Sequence, residues 1–312
     1  MMVCGAAGAA ECGPDALGTH RTLTIGAGEG PVGLFNYRRT LDLDDKEIVL
    51  TFDDGPMARR TPAVLKALAD ECVKATFFVV GSMVAANPGI LQQTADAGHT
   101  IGTHTWSHAY LTRRKARQQR DSQIAGGLQA ANIVLGEERR GALSPLFRFP
   151  GLGRNAALDQ FVADNGLIAM SVDIDSRDWV RQSPGEVLER TLARIEARGK
   201  GIVLMHDIQP RTVAMLPDLL RALKQKGYRI VHVTADRRDT DVALARLEEP
   251  QSRGFQVVMA RTRQKLIVLT AERAPAPQNP PVVMAGASGA VAEPVRLAAR
   301  GFETLSLRGA MR

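Results

Sequence analysis

Short apolar runs alternate with amphipathic stretches between residues 48 and 233, and this alternation narrows the available folds more than any other feature. The runs at 48–52, 75–80, 99–103, 146–149, 167–172, 201–205 and 228–233 are rich in apolar and β-branched residues, as strands buried on both faces are. Helix-like segments separate most of them. Thr61-Pro62 is read as an N-cap and first-turn proline for a helix over 63–72, and Asn87-Pro88 opens the next. Residues 112–135 read as one long helix. Ser183-Pro184-Gly185-Glu186 is a capping box ahead of 187–198, and Gly227 ends a helix over 212–226. The pattern is α/β with parallel strands. Its span of about 190 residues is short for a complete eightfold barrel, so a distorted or incomplete (β/α) barrel is expected.

The expected organisation is an N-terminal arm over 1–45, a catalytic domain over 46–236, and a C-terminal appendage of low order over 237–312. Residues 256–260 and 265–270 read as two short strands, and 275–281 as a Pro-rich linker. The formal charge is +7. From Pro250 onward there are nine Lys and Arg against three Glu, so the excess is concentrated there. That composition does not imply nucleic acid, and it gives the tail the means to contact an anionic surface. No run reaches the ~18 apolar residues that a membrane span requires. The opening MMVCGAAGAA resembles the small-residue end of a secretion signal, with Ala7-x-Ala9 as its cleavage site, but lacks the basic and most of the apolar part. Export is therefore expected. Cys4 would leave with the signal, and Cys12 and Cys72 would be free to pair in an oxidising compartment. The alternative is a free Cys12 and a small buried Cys72.

Chemically apt side chains crowd the C-terminal ends of the strand runs. Asp53-Asp54 closes the first, before Gly55-Pro56, and His104-Thr105-Trp106-Ser107-His108 follows the third. Arg148 closes the fourth, Asp173 to Trp179 the fifth, and His206-Asp207 the sixth. In parallel α/β folds these ends share one rim, where catalytic sites sit. One Asp and two His supply three ligands and leave a metal position open, with a second carboxylate unused. Taken singly, an HxxxH pair arises by chance and Asp-Asp-Gly-Pro makes a good turn; five of six successive strand ends is a different matter.

TFDDGP, HTWSH, RFPG, DSRDW and LMH, in that order, resemble the five motifs of the polysaccharide deacetylase family, a group of carbohydrate esterases. The resemblance covers about residues 46–233. It implies a distorted barrel with a divalent ion, zinc or in some members cobalt, that hydrolyses N-acetyl or O-acetyl groups on a polysaccharide or oligosaccharide. It further implies that Asp54, His104 and His108 hold the metal and that Asp53 is the general base. His206 is then the acid, oriented by Asp178, while Arg148 orients the base and keeps it ionised. Trp179 and Leu204 wall the acetyl group, and a main-chain N–H near Gly151 serves the oxyanion. Family members usually carry an aromatic residue where this chain has Gly151. Two other readings start from the same residues. A two-His-one-carboxylate iron oxygenase normally has His-x-Asp before a distant His on an all-β fold. A non-catalytic glycan-binding module would have lost the acid, the base or the ligands, all of which are kept here.

Overall fold

In the parallel sheet, residues two apart along a strand share a face, and that parity decides which side chains reach the interior. The computed structural model describes residues 12–117, 119–251 and 253–273. The signal-like opening, Cys4, the Pro-rich 275–281 and the rest of the tail from 274 lie outside the described residues. Nine strands are present among those described: β1 (Thr19–Ile25), β2 (Glu47–Asp53), β3 (Thr76–Val79), β4 (Thr100–Thr103), β5 (Leu143–Phe147), β6 (Ile168–Ala169), β7 (Ile174–Asp175), β8 (Gly201–His206) and β9 (Arg229–Ala235). All pairings between them are parallel.

The sheet curls in the order β7-β8-β2-β3-β4-β5-β6, and β9 joins the foot of β2 at Glu47 and Ile48 while also pairing with β1. No pairing links β6 to β7 among the described residues, so the barrel is incompletely closed. The chain after β1 fills that gap: Val32 bridges Met170, and the Phe35 amide donates to the Val172 carbonyl at 2.9 Å. Ile25, Val32, Leu41 and Leu43 from this arm pack in the interior with Val49, Phe78, Leu146 and Ile202.

On β2, Ile48, Leu50 and Phe52 point outward into the layer beneath the helices, whereas Val49 points inward. Thr51 and Asp53 therefore share the inward face. The same parity on β8 sends Ile202, Leu204 and His206 inward. Packing of the outer layer is carried by helices Thr61–Asp70, Gly81–Ala86, Pro88–Asp96, Arg120–Arg139, Ala156–Asp164, Pro184–Arg198 and Pro210–Gln225. The capping box at Ser183 and Glu186 is formed, each side chain meeting the other's amide.

Local structure departs from expectation in three places. Thr61 is the first helical residue rather than the cap: its Oγ1 accepts from the Met57 amide at 2.7 Å and donates to Asp207 Oδ2. The long helix over 112–135 is divided into Arg114–Arg117 and Arg120–Arg139. The two strands expected at 256–260 and 265–270 are one helix, Arg253–Arg273. Phe255 and Met259, one turn apart, are buried, and Trp106 meets the Phe255 ring edge-on at 5.1 Å. Burial of one stripe on a helix outweighed the strand propensity of Val257-Val258 and of the run from Leu266. Cys12 and Cys72 form a disulfide with Cα atoms 5.9 Å apart, tying the start of the described chain to the turn after the first helix.

Candidate active site

Asp53, Asp54, His104, His108 and His206 line one cavity of about 450 Å³ at the C-terminal ends of the strands, together with Gly151, Trp179 and Leu204. Adjacent strand residues ordinarily face opposite sides. Asp54 escapes that rule because the strand ends there and its backbone turns left-handed, with φ 81°. His108 is also left-handed, at φ 55°, so the two histidines meet across a turn rather than along a helix. Gln123 braces that turn, accepting at its main-chain carbonyl from the Trp106 amide at 2.7 Å and at Oε1 from the Ser107 amide at 3.0 Å. Backbone of this kind costs ~1–3 kcal/mol per residue and persists where surrounding structure enforces it. Asp54, His108, Leu152 and Arg177 all have it, and all line the cavity.

The donor set suits a metal ion. One ligand atom each from Asp54, His104 and His108 lie within 4.8 Å of one another. Asp54 Oδ1 is buried without a hydrogen-bond partner, 3.7 Å from His104 Nε2 and 3.3 Å from His108 Nε2. A carboxylate oxygen left in that state is costly, and a cation between the three would relieve it. His104 Nδ1 donates to the Arg148 carbonyl at 2.7 Å, which leaves the Nε2 lone pair facing the site. Burial pushes the His104 imidazole down to about 3, so it is neutral, as a ligand must be.

Asp53 lies beside this trio, with Oδ2 3.7 Å from His104 Nε2. Its Oδ1 accepts from the fully buried Arg148 at 2.7 Å. The guanidinium is itself fixed by Thr51 Oγ1 at 2.8 Å and the Met170 carbonyl at 3.0 Å, and stacks 3.9 Å from the centre of the Phe78 ring. Burial raises the Asp53 carboxyl above the usual range, with Arg148 pulling it back. Arg148 thus orients Asp53 and limits the rise, while burial leaves it more basic than a surface carboxylate. Opposite, His206 Nδ1 donates to Asp178 Oδ1 at 2.6 Å, and the His206 amide donates to Oδ2 at 2.7 Å. Burial opposes the imidazolium, yet Asp178 by hydrogen bond and charge, with Asp53 and Asp54, lifts His206 to about 9. Burial likewise opposes the Asp178 anion, and the bonds from His206 and Thr212 reverse that and hold its carboxyl low.

Three neighbours of the site make contacts that the sequence did not show. Asp207, which follows His206, is buried with its Oδ2 against Gly55, where a Cβ would sit only 2.1 Å away. Burial raises its carboxyl to about 7. Phe35 and Tyr110 also line the cavity. Trp106 packs against helix residues and Phe255 rather than the cavity, and the buried His99 accepts from the Ala75 amide at 3.2 Å.

A curled parallel barrel with an Asp-His-His cluster and a carboxylate and an imidazolium on its rim describes a class of hydrolytic α/β proteins. The profile of the polysaccharide deacetylase family matches residues 40–170. The chain is 38% identical over 189 residues to the peptidoglycan-N-acetylglucosamine deacetylase of Listeria monocytogenes, covering 61% of this chain and 38% of that one. It is 32% identical over 200 residues to the chitooligosaccharide deacetylase of a Bradyrhizobium strain, covering 59% of this chain and 88% of that one. Among solved structures it resembles the peptidoglycan deacetylase Bd3279 of Bdellovibrio bacteriovorus, with 36% identity, a TM-score of 0.59, and coverage of 69% and 58%. This chain belongs to the polysaccharide deacetylase family. It spans well under half the length of the Listeria relative.

Proposed function

We propose that the protein is a metal-dependent deacetylase of N-acetylated glycans, and that one observation carries the reading. A ligand trio, a buried carboxylate and a carboxylate-paired imidazolium converge on one open cavity. A divalent ion, zinc or cobalt, held by Asp54, His104 and His108 would polarise the acetyl carbonyl and acidify the attacking water. Asp53 takes the proton from that water, with Arg148 fixing the direction of its lone pair. His206, cationic at neutral pH, gives its proton to the departing nitrogen, which cannot leave as an amide anion. Asp178 holds the ring and restores the charge. Trp179 and Leu204 flank the acetyl methyl, and the main chain near Gly151 offers an N–H to the developing oxyanion. The matched relatives are named for N-acetylglucosamine-containing glycans, which makes those the first substrates to test. The Cys12–Cys72 disulfide supports export to an oxidising compartment.

Acetate release across a panel of chitin oligomers, peptidoglycan and O-acetylated glycans tests the proposal. Asp53→Asn is expected to keep the fold and lower kcat by about 10²–10⁴-fold. His206→Ala is expected to damage acetamide hydrolysis far more than hydrolysis of aryl acetates, whose leaving groups need no proton. Equal losses on both substrates would remove His206 from the acid role.

A further inference from the structure

Aromatic side chains are normally buried, and an exposed one taken singly needs no explanation. Among the described residues three are exposed: Phe35 at 62%, Tyr110 at 40% and Trp179 at 57%. All three line the cavity that holds Asp53, Asp54 and His206. They come from separate stretches of chain, after β1, β4 and β7, so no single loop has brought them together.

Two of the three are held in place by close contacts with neighbouring segments of chain. The loop carrying Phe35 is bound to the chain just after β6: a Cβ on Gly33 would lie 2.5 Å from the Ser171 carbonyl carbon, so the chains touch backbone to backbone. The Phe35 amide donates to the Val172 carbonyl at 2.9 Å, and Asn36 Nδ2 donates to the Leu152 carbonyl at 3.2 Å. Phe35 is thus presented on a fixed lip. Tyr110 occupies the space over Gly151, where a Cβ would fall 2.3 Å from its Cε1. Gly151 also has φ 59°, which disfavours any side chain there. The Tyr110 ring stands edge-on to His108 with centroids 5.4 Å apart, and the Arg113 guanidinium lies 4.8 Å from its centre. The bare Gly151 and the placed Tyr110 ring are one device.

We propose that Phe35 and Tyr110 are stacking positions for sugar units beyond the one that reacts, so that the protein selects an extended glycan over a single acetylated sugar. A pyranose offers an apolar face of C–H groups, and a fixed exposed ring receives it while both remain wetted at their edges. The inference rests on the glycan reading of the site, and it adds substrate length to it. Trp179 adjoins Asp178 in sequence, while Phe35 and Tyr110 add two further rings to the lining of the same cavity.

The test is the binding of N-acetylglucosamine and of its β-1,4-linked tetramer to the full chain, by surface plasmon resonance with injections of a few seconds, ahead of turnover. The wild type is expected to favour the tetramer by about five-fold to thirty-fold, as one or two stacked rings would give. Phe35→Ala and Tyr110→Ala should each remove several-fold of that preference, and Tyr110→Phe, which keeps the ring, should retain it. Because Tyr110 adjoins His108, metal content is measured in its variants, and Phe35→Ala carries the test independently. A wild type without tetramer preference, or a preference unchanged in Phe35→Ala and Tyr110→Ala, overturns the proposal. Acetate release is scored separately. Acetate without altered length preference defeats only the stacking positions. Altered preference without acetate from any substrate defeats only the deacetylase reading.

Discussion

At the scale of single residues the site is a problem in keeping protons where they are useful. Deep burial would discharge His206, and the carboxylate of Asp178 reverses that, lifting it from 6.5 to about 9. A group raised on folding stabilises the fold most below its unfolded value. That contribution is complete below about 6.5 and is lost as pH rises through about 9. On the proposed mechanism the same titration would set the alkaline limb of activity. kcat on an acetamide substrate should hold through neutral pH and fall near 9. Asp178→Asn should move the limb to lower pH and reduce kcat by about 10–100-fold. A pH–rate profile decides it, and an unmoved limb in the variant would show that His206 is not the titrating acid. The residues proposed for this machinery stood out in the sequence because each follows a strand run and carries a reactive group. The Arg148–Asp53 contact was legible as a role, but burial outweighs the guanidinium in setting the carboxyl's position. Asp207 and the Tyr110–Gly151 pair were not legible as contacts, since they depend on backbone angles and cross-strand distances that no local pattern encodes.

At the scale of elements, strands were easier to read than the segments flanking them. Buried parallel strands announce themselves by apolar runs, whereas residues 256–270 are rich in strand formers and still form a helix. What decides the outcome there is a stripe of Phe255, Met259 and Thr262 buried at helical spacing, a tertiary effect invisible to propensity. Phe255→Ala should therefore destabilise the fold by about 3–5 kcal/mol, read as a fall in urea midpoint. A loss below about 0.5 kcal/mol, the range of an ordinary surface change, would mean that the helix is not part of the cooperative unit. The N-terminal arm behaves similarly. Its turn-rich sequence hid a structural role: Ile25, Val32, Leu41 and Leu43 complete the barrel interior. The Cys12–Cys72 bridge closes a loop with a sequence separation of 60. Reducing it, or Cys12→Ser, should cost on the order of 4 kcal/mol in the chain-entropy model. Equal urea midpoints for the oxidised and reduced protein would contradict that expectation.

At the scale of the whole molecule, parallel topology assembles the site from distant pieces of chain. Because all pairings run in the same direction, the residues that end β2, β4, β5 and β8 arrive at one rim. Parity along β2 and β8 turns Asp53 and His206 into the same interior. This is why the order of motifs along the chain was informative before any contact was known, whereas the filling of the β6–β7 gap by the arm was not foreseen. The central claim is that Asp54, His104 and His108 hold one divalent ion on which acetate release depends. The direct measurement is metal content by elemental analysis alongside acetate release from chitin oligomers. Both are followed in the wild type, after chelation, after returning zinc or cobalt, and in His104→Ala/His108→Ala. The account predicts about one ion per chain, as a three-ligand site holds, with activity lost on chelation and restored by the metal, and neither binding nor turnover in the double variant. Full metal occupancy in the double variant, or acetate release indifferent to chelation, would contradict it.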